Sequence, residues 1–342
     1  MKNKTMHKTL LALLLTTAIT GCSDPELPLA KPLNAEASQM AQIPFLQQGE
    51  FAVVTHRDLV VPESQNQREL ELSVFYPKQG QNHPLIFFSH GNWSSKDKYD
   101  NVINYWVSHG YVVIAPNHLD CCSQVTGIVN SLRYGNFGLI ENRVKDFSYL
   151  IDHYSELEQL LPALKGKGDI NHIALAGHSF GAFTAQQFGG AGTLNTDDKS
   201  YHFYSDPRVK AIVALSPPGP MFDEITAQSW QKLSTPTFNT TGTWDLDKYF
   251  FTDWQMHKMA FDSAQPSNNY VLVTQGADHY LGNLICRPER EAAPQKDALM
   301  MLNATSTAFL AAYLKQDEQA KTFLQNGRLK DLTAGFSTVE YR

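Results

Sequence analysis

Residues 172 to 188 read HIALAGHSFGAFTAQQF, and the interpretation of this stretch decides the fold. Residues 173 to 176 are a short apolar run of the kind that forms a strand buried on both faces. Between it and a segment rich in small residues, Gly177-His178-Ser179-Phe180-Gly181 fits G-x-S-x-G, the pattern of a sharp strand-to-helix turn that lifts a serine hydroxyl above a sheet. Such a turn needs a strained backbone at the serine and no Cβ on its flanks, where neighbouring strand and helix come close. Backbone N–H groups at the start of the helix then face the place where an oxyanion would develop. G-x-S-x-G is short enough to arise by chance as a Gly-rich turn. The apolar strand before it and Ala182, Ala185 and Phe188 after it supply the context that the pattern requires.

Outward from this turn, strands and helices alternate. Residues 51–61 and 70–76 read as an antiparallel pair at a sheet edge, and 84–88 as a central strand that runs into Ser89-His90-Gly91-Asn92-Trp93. A helix over 99–109 and a strand over 111–115 follow. An amphipathic helix is expected from 138 to 160, its stripe of Ile140, Val144, Phe147, Leu150 and Ile151 facing the core and its Arg143 and Asp146 forming an i,i+3 ion pair. Residues 190–209 read as an irregular polar insertion. Strands over 210–215, 237–241 and 270–274 and a helix over 296–315 complete the domain, with a polar tail over the surface. No period of 20 to 50 residues repeats. The fold class is therefore α/β, one domain with a mostly parallel central sheet and helices on both faces, whose ligands sit beyond the carboxyl ends of the strands.

Four strand ends point to that place: His90-Gly91-Asn92, Ser179, Asp245 and His279. A serine hydroxyl is a weak nucleophile until a neutral imidazole takes its proton, and a carboxylate is needed to fix the tautomer of that imidazole. Ser179, His279 and Asp245 fill these roles, with the backbone N–H groups of Asn92 and Phe180 as the oxyanion hole. Asp247 and Asp278 are rivals for the acid. Among the other histidines, His90 is expected to order the oxyanion loop and His118 to line the site. Trp93, His178, Trp244 and Tyr280 are candidate substrate-lining residues.

The first 15 residues carry Lys2, Lys4 and Lys8 before the apolar run 10–15, too short for a membrane span, and read as a secretion signal. Ile19-Thr20-Gly21-Cys22 resembles the lipobox of bacterial lipoproteins, which implies acylation of Cys22 and export across the inner membrane, with the domain lipid-anchored at the outer membrane or periplasmic face. Domain boundaries follow: a leader over 1–21, a flexible tether over 22–45 and the catalytic domain over 46–342. Loss of the leader, with three lysines and no acid, takes the formal charge from −6 to −9, which argues against nucleic acid as a partner. Of the remaining cysteines, Cys286 is expected to pair with Cys121 or Cys122, in preference to a bond between neighbours. Asn117 to Cys122 holds metal-ligand types, but no second cluster has ligand spacing, so no metal is expected.

With these residues in place, 51–315 resembles the α/β-hydrolase superfamily. Phe88-Ser89-His90-Gly91 followed by Gly177-His178-Ser179-Phe180-Gly181 resembles the plasma-type platelet-activating-factor acetylhydrolases and the bacterial dienelactone-hydrolase-like and cutinase-like esterases. The resemblance implies a cofactor-free hydrolase of short or medium acyl esters, lipid-like or polymer-derived, with the triad and oxyanion hole named above. Dienelactone hydrolases proper use a cysteine where this chain has Ser179, Ala182 replaces a second glycine common in the acetylhydrolases, and the 190–209 insertion has no obvious counterpart. A serine peptidase, an acyltransferase and a non-catalytic binding protein are the alternatives on this fold.

Overall fold

The apolar runs become strands because each is followed by a glycine, proline or polar turn that stops it. The computed structural model describes residues 26–62, 68–266 and 268–342. Its strands are β1 (Val53–Val61), β2 (Leu70–Pro77), β3 (His83–Ser89), β4 (Val112–Pro116), β5 (Gly168–His178), β6 (Gly189–Leu194), β7 (Tyr201–Ser205), β8 (Val209–Leu215), β9 (Thr237–Trp244), β10 (Asn269–Asp278) and β11 (Ser337–Tyr341). Nine of them form one sheet in the order β1-β2-β4-β3-β5-β8-β9-β10-β11. From β4 to β10 neighbours are parallel, while β1/β2, β2/β4 and β10/β11 are antiparallel. The strand that carries the serine turn, β5, is therefore central, with its carboxyl end beside those of β3 and β8.

Both faces are covered, as the continuous apolar strands require. Phe88 points to the side packed by the helices Asp100–Ser108 and Lys296–Leu314, and its neighbour Phe87 to the side packed by the long helix Gln124–Asp152 and by Phe180–Gln187. Both rings are fully buried, and truncation of such a side chain costs about 3–5 kcal/mol.

Several details differ from expectation. The helix expected to begin at 138 starts at Gln124 and is broken at Gly135 (φ 65°), so that only its second part carries the buried stripe. The insertion forms the β6/β7 hairpin. The tail returns as β11 to close the sheet edge against β10. The segment expected as a flexible tether is docked: Met40 and Ile43 are buried in the core, and Leu33, Ala35 and Phe45 pack against it. Its prolines and lack of periodicity suggest a tether, but its apolar residues join the core. The leader and Cys22 lie outside the described residues.

The cysteine pairing is also corrected. Cys121 and Cys122 form a vicinal sulfur pair, and Cys286 is buried and free. Both regions follow strands on the same face of the sheet, yet the Cys286 sulfur turns towards Gly91, and its backbone N–H is held by the carbonyl of Lys98 at 2.9 Å.

Candidate active site

Ser179 stands where β5 ends and the helix Phe180–Gln187 begins, with φ 54° and ψ −123°. A non-glycine residue in such a conformation costs on the order of 1–3 kcal/mol, and its surroundings impose it. The Ser179 N–H donates to the Leu215 carbonyl of β8 at 2.8 Å. A Cβ on Gly177 would strike the Gly181 carbonyl, and one on Gly181 would strike the carbonyls of Ser89 and His90. The turn is thus clamped against the loop after β3. Phe180 opens the helix, so its N–H has no carbonyl one turn earlier to bond.

Ser179 and His279 line one cavity of about 330 Å³, and Asn92, Trp93, His178 and Tyr280 line it with them. On one side, His279 Nδ1 lies 2.7 Å from Asp245 Oδ1, and the Thr241 hydroxyl donates to Asp245 Oδ2 at 3.0 Å. A carboxylate only accepts, so Nδ1 carries the proton and Nε2 is left as the basic atom. Burial pushes the His279 pKa down against the pull of Asp245, which favours the neutral base. Burial alone would raise Asp245, but the histidines His257 and His279 hold its carboxyl well below the usual range. Of the rivals, Asp247 lines the cavity but its carboxylate accepts from the N–H groups of Tyr249 and Phe250, and Asp278 accepts from those of Tyr280 and Gly282.

His257 was not foreseen. It lies in the short 3-10 turn Trp254–Lys258 rather than at a strand end, is fully buried, and places Nε2 at 3.0 Å from the same Asp245 oxygen, as a charge contact rather than a directed hydrogen bond. The nitrogen and oxygen atoms of Asp245, His257 and His279 lie within 4.8 Å of one another, close enough to surround a cation. The His279 Nδ1 proton already occupies the space between two of them, so a metal would have to displace it.

His178 links the two sides of the cavity. Its Nε2–H donates to the His279 carbonyl at 2.8 Å, and its Nδ1 accepts from the Tyr99 hydroxyl at 3.2 Å, which in turn accepts from the Gly91 N–H at 2.8 Å. Burial lowers the His178 pKa to about 4, so it serves as a neutral connector.

The other side rests on a buried charged network. Arg143 grips Asp120 with Nε at 2.9 Å and Nη2 at 2.7 Å, and its Nη1 donates to the His90 carbonyl at 2.7 Å and to Ser89 Oγ at 3.0 Å. Arg143 therefore pairs with Asp120 rather than with Asp146, which takes Arg68 and His118 instead. The expected i,i+3 pair does not form because the two side chains are drawn to opposite ends of the network. His90 and His118 are held inside it, fully buried, and burial with Arg143 nearby lowers both pKa values well below the ordinary range. His118 thus supports the site from beneath and does not line it. Trp93 lines the cavity and packs its ring on Gly127. Trp244 does not: it lines a separate groove of about 630 Å³ under residues 27–33, where its Nε1–H donates to the Pro28 carbonyl at 2.7 Å.

The model of the chlorophyllase family matches residues 42–199, a span that includes Ser179. The platelet-activating factor acetylhydrolase of Cavia porcellus is 24% identical over 276 residues, an alignment that covers 70% of this chain and 60% of that protein. Together with the sheet order and the serine turn, these matches decide the class. The chain has the α/β-hydrolase fold. As an α/β-hydrolase it presents its cavity at the carboxyl ends of the parallel strands, where open α/β sheets hold their ligands.

Proposed function

We propose that this α/β-hydrolase cleaves carboxylic esters through a covalent acyl-enzyme on Ser179. The observation that carries this is the Nδ1 attachment of His279 to Asp245 at 2.7 Å, which leaves Nε2 free on a ring that shares its cavity with Ser179. In the first half-reaction Nε2 takes the Ser179 proton as Oγ attacks the ester carbonyl. The backbone N–H groups of Asn92 and Phe180 receive the oxyanion, each worth roughly 10²–10³ in rate. His279 then gives its proton to the departing alcohol. Water repeats the sequence in reverse and releases the acid, so that Ser179 and His279 return unchanged.

The substrate class is a short or medium acyl, lipid-like ester. Met221, Phe222, Phe250 and Phe251 line the cavity, and its volume lies at the low end for a small-molecule site. Val125, Ile128, Val129 and Leu132 are exposed on the helix whose Gln124 and Ser131 reach the cavity. The names of the matched proteins, a chlorophyllase and a platelet-activating factor acetylhydrolase, support hydrolysis of a carboxylic ester. Attachment to a membrane through acylated Cys22 belongs to the same proposal; palmitate incorporation that persists in Cys22→Ala, or is absent from the unaltered chain, would refute it.

The deciding experiment is fluorophosphonate labelling of the chain and of Ser179→Ala, with hydrolysis of p-nitrophenyl esters from acetate to decanoate. Labelling and turnover are expected to vanish together in the variant, with activity falling towards the longer acyl chains. An unlabelled chain without ester turnover would overturn the proposal.

A further inference from the structure

The His257 ring is held in a way that determines its charge. Its Nδ1 lies 2.8 Å from the Pro217 carbonyl oxygen, an acceptor only, so Nδ1 carries a proton. The opposite nitrogen, Nε2, lies 3.0 Å from a carboxylate oxygen of Asp245. If Nε2 were bare, the electron-rich edge of a neutral ring would lie 3.0 Å from an anion inside a fully buried site, with no hydrogen bond to offset the repulsion. A second proton on the ring removes that conflict. No arginine or lysine contacts Asp245 among the described ion pairs, and Lys258, next in sequence, turns outward to Glu340 at 3.1 Å.

From this geometry we infer that His257 is a positioning residue that stands as an imidazolium against Asp245, neutralises it at rest and lowers the basicity of His279. The inference rests on the proposed triad. The direction of the His257 pKa agrees with it: burial opposes the charged form, yet Asp245 raises the value. The two rings share one carboxylate with centroids 5.5 Å apart, so protonation of His279 during acylation places two cations around one anion. The consequence is a base that remains neutral, and so usable, at lower pH than one with Asp245 to itself. Other groups facing the pair are few. His178 and Asp245 act on His279, Arg287 acts on the neighbouring His178, and the Phe251 ring lies 4.6 Å from that of His257 and 5.0 Å from that of His279.

The test has two arms. In the first, imidazole ¹⁵N spectra are taken of Ser179→Ala at pH 7, with assignment by the loss of signals in His257→Gln. His257 is expected doubly protonated and His279 protonated on Nδ1 alone; a singly protonated His257 would overturn the inference. This arm needs no turnover, so it stands even if the ester activity is absent. In the second, kcat/KM is followed against pH for the unaltered chain and His257→Gln, with folding checked by circular dichroism at each pH. The acid limb is expected to move up by about one pH unit, because the loss of a cation near His279 raises its pKa. A uniform loss of rate with an unmoved limb would mean a purely structural role and would also overturn it. If His257→Gln does not fold, His257→Asn, which is shorter but uncharged, is expected to move the limb the same way. Loss of turnover in the unaltered chain after treatment with EDTA would make the cluster a metal centre and overturn the inference as well.

Discussion

The two walls of the cavity solve one electrostatic problem in different ways. Beneath the loop after β3, Asp120 and Asp146 are buried beside His90 and His118, and two arginines carry the compensating charge. There the imidazoles stay neutral and act as hydrogen-bond spacers. On the other wall Asp245 is equally buried, no arginine reaches it among the described ion pairs, and the two imidazoles themselves face the carboxylate. A guanidinium holds its charge at any accessible pH, whereas an imidazole gives its proton up. One wall is therefore a fixed frame, and the other can titrate.

Substitutions that remove one charge from each wall separate these roles. The largest effect is expected for Asp245→Asn, which should lower kcat by on the order of 10⁴ while retaining the cavity; a loss under tenfold in ester hydrolysis would place the acid elsewhere. Arg143→Met leaves Asp120 buried without its partner and should cost about 3–5 kcal/mol in urea unfolding. It should also depress kcat more than it raises KM, because the carbonyls of His90 and Gly91 lose their anchor. pH dependence of stability provides a third comparison. His90, His118 and His178 have folded pKa values below the unfolded value of about 6.5, so the unfolded chain binds the extra protons below that pH. Stability should therefore fall as pH drops from about 6.5 towards 4, by about 1.4 kcal/mol per pH unit for each ring still neutral in the fold. His257 has the opposite sign, its contribution present below about pH 6.5 and lost as pH rises through its raised folded value. Denaturation midpoints that are flat from pH 7 to 4.5 would contradict the neutral frame. The smallest effect is expected at Trp244→Phe, which removes the hydrogen bond to Pro28 and should change ester turnover by less than about two-fold while costing about 1 kcal/mol of stability.

What could be seen in the sequence was whatever a strand end announces. The apolar runs at 84–88, 173–176, 210–215 and 270–274 predict central parallel strands because burial on both faces leaves no polar alternation; Asn92, Ser179 and His279 sit just beyond such runs, and Asp245 just beyond the more polar strand over 237–241. His257 has no such marker. It follows Asp245 by a loop and a 3-10 turn, and only the folded chain returns it to that carboxylate. The pairing of Arg143 with Asp120 spans 23 residues and two elements, while helical periodicity offered the nearer but incorrect Asp146. Trp244 adjoins the acid in sequence, but successive strand residues point to opposite faces, which sends the indole to the groove under residues 27–33. β11 alternates weakly at a half-exposed edge, and its short run STVEY gives no clear strand signal.

The crowding around the serine turn has a consequence for variation. Positions 177 and 181 face backbone carbonyls, which cannot rotate away as a side chain can. In a library randomised across 177 to 181 and selected only for a soluble fold, without any demand for turnover, both positions should return glycine. Position 179 should drift among small residues and those that accept a left-handed backbone. The architecture of the elbow would then be inherited even by descendants that had lost its chemistry.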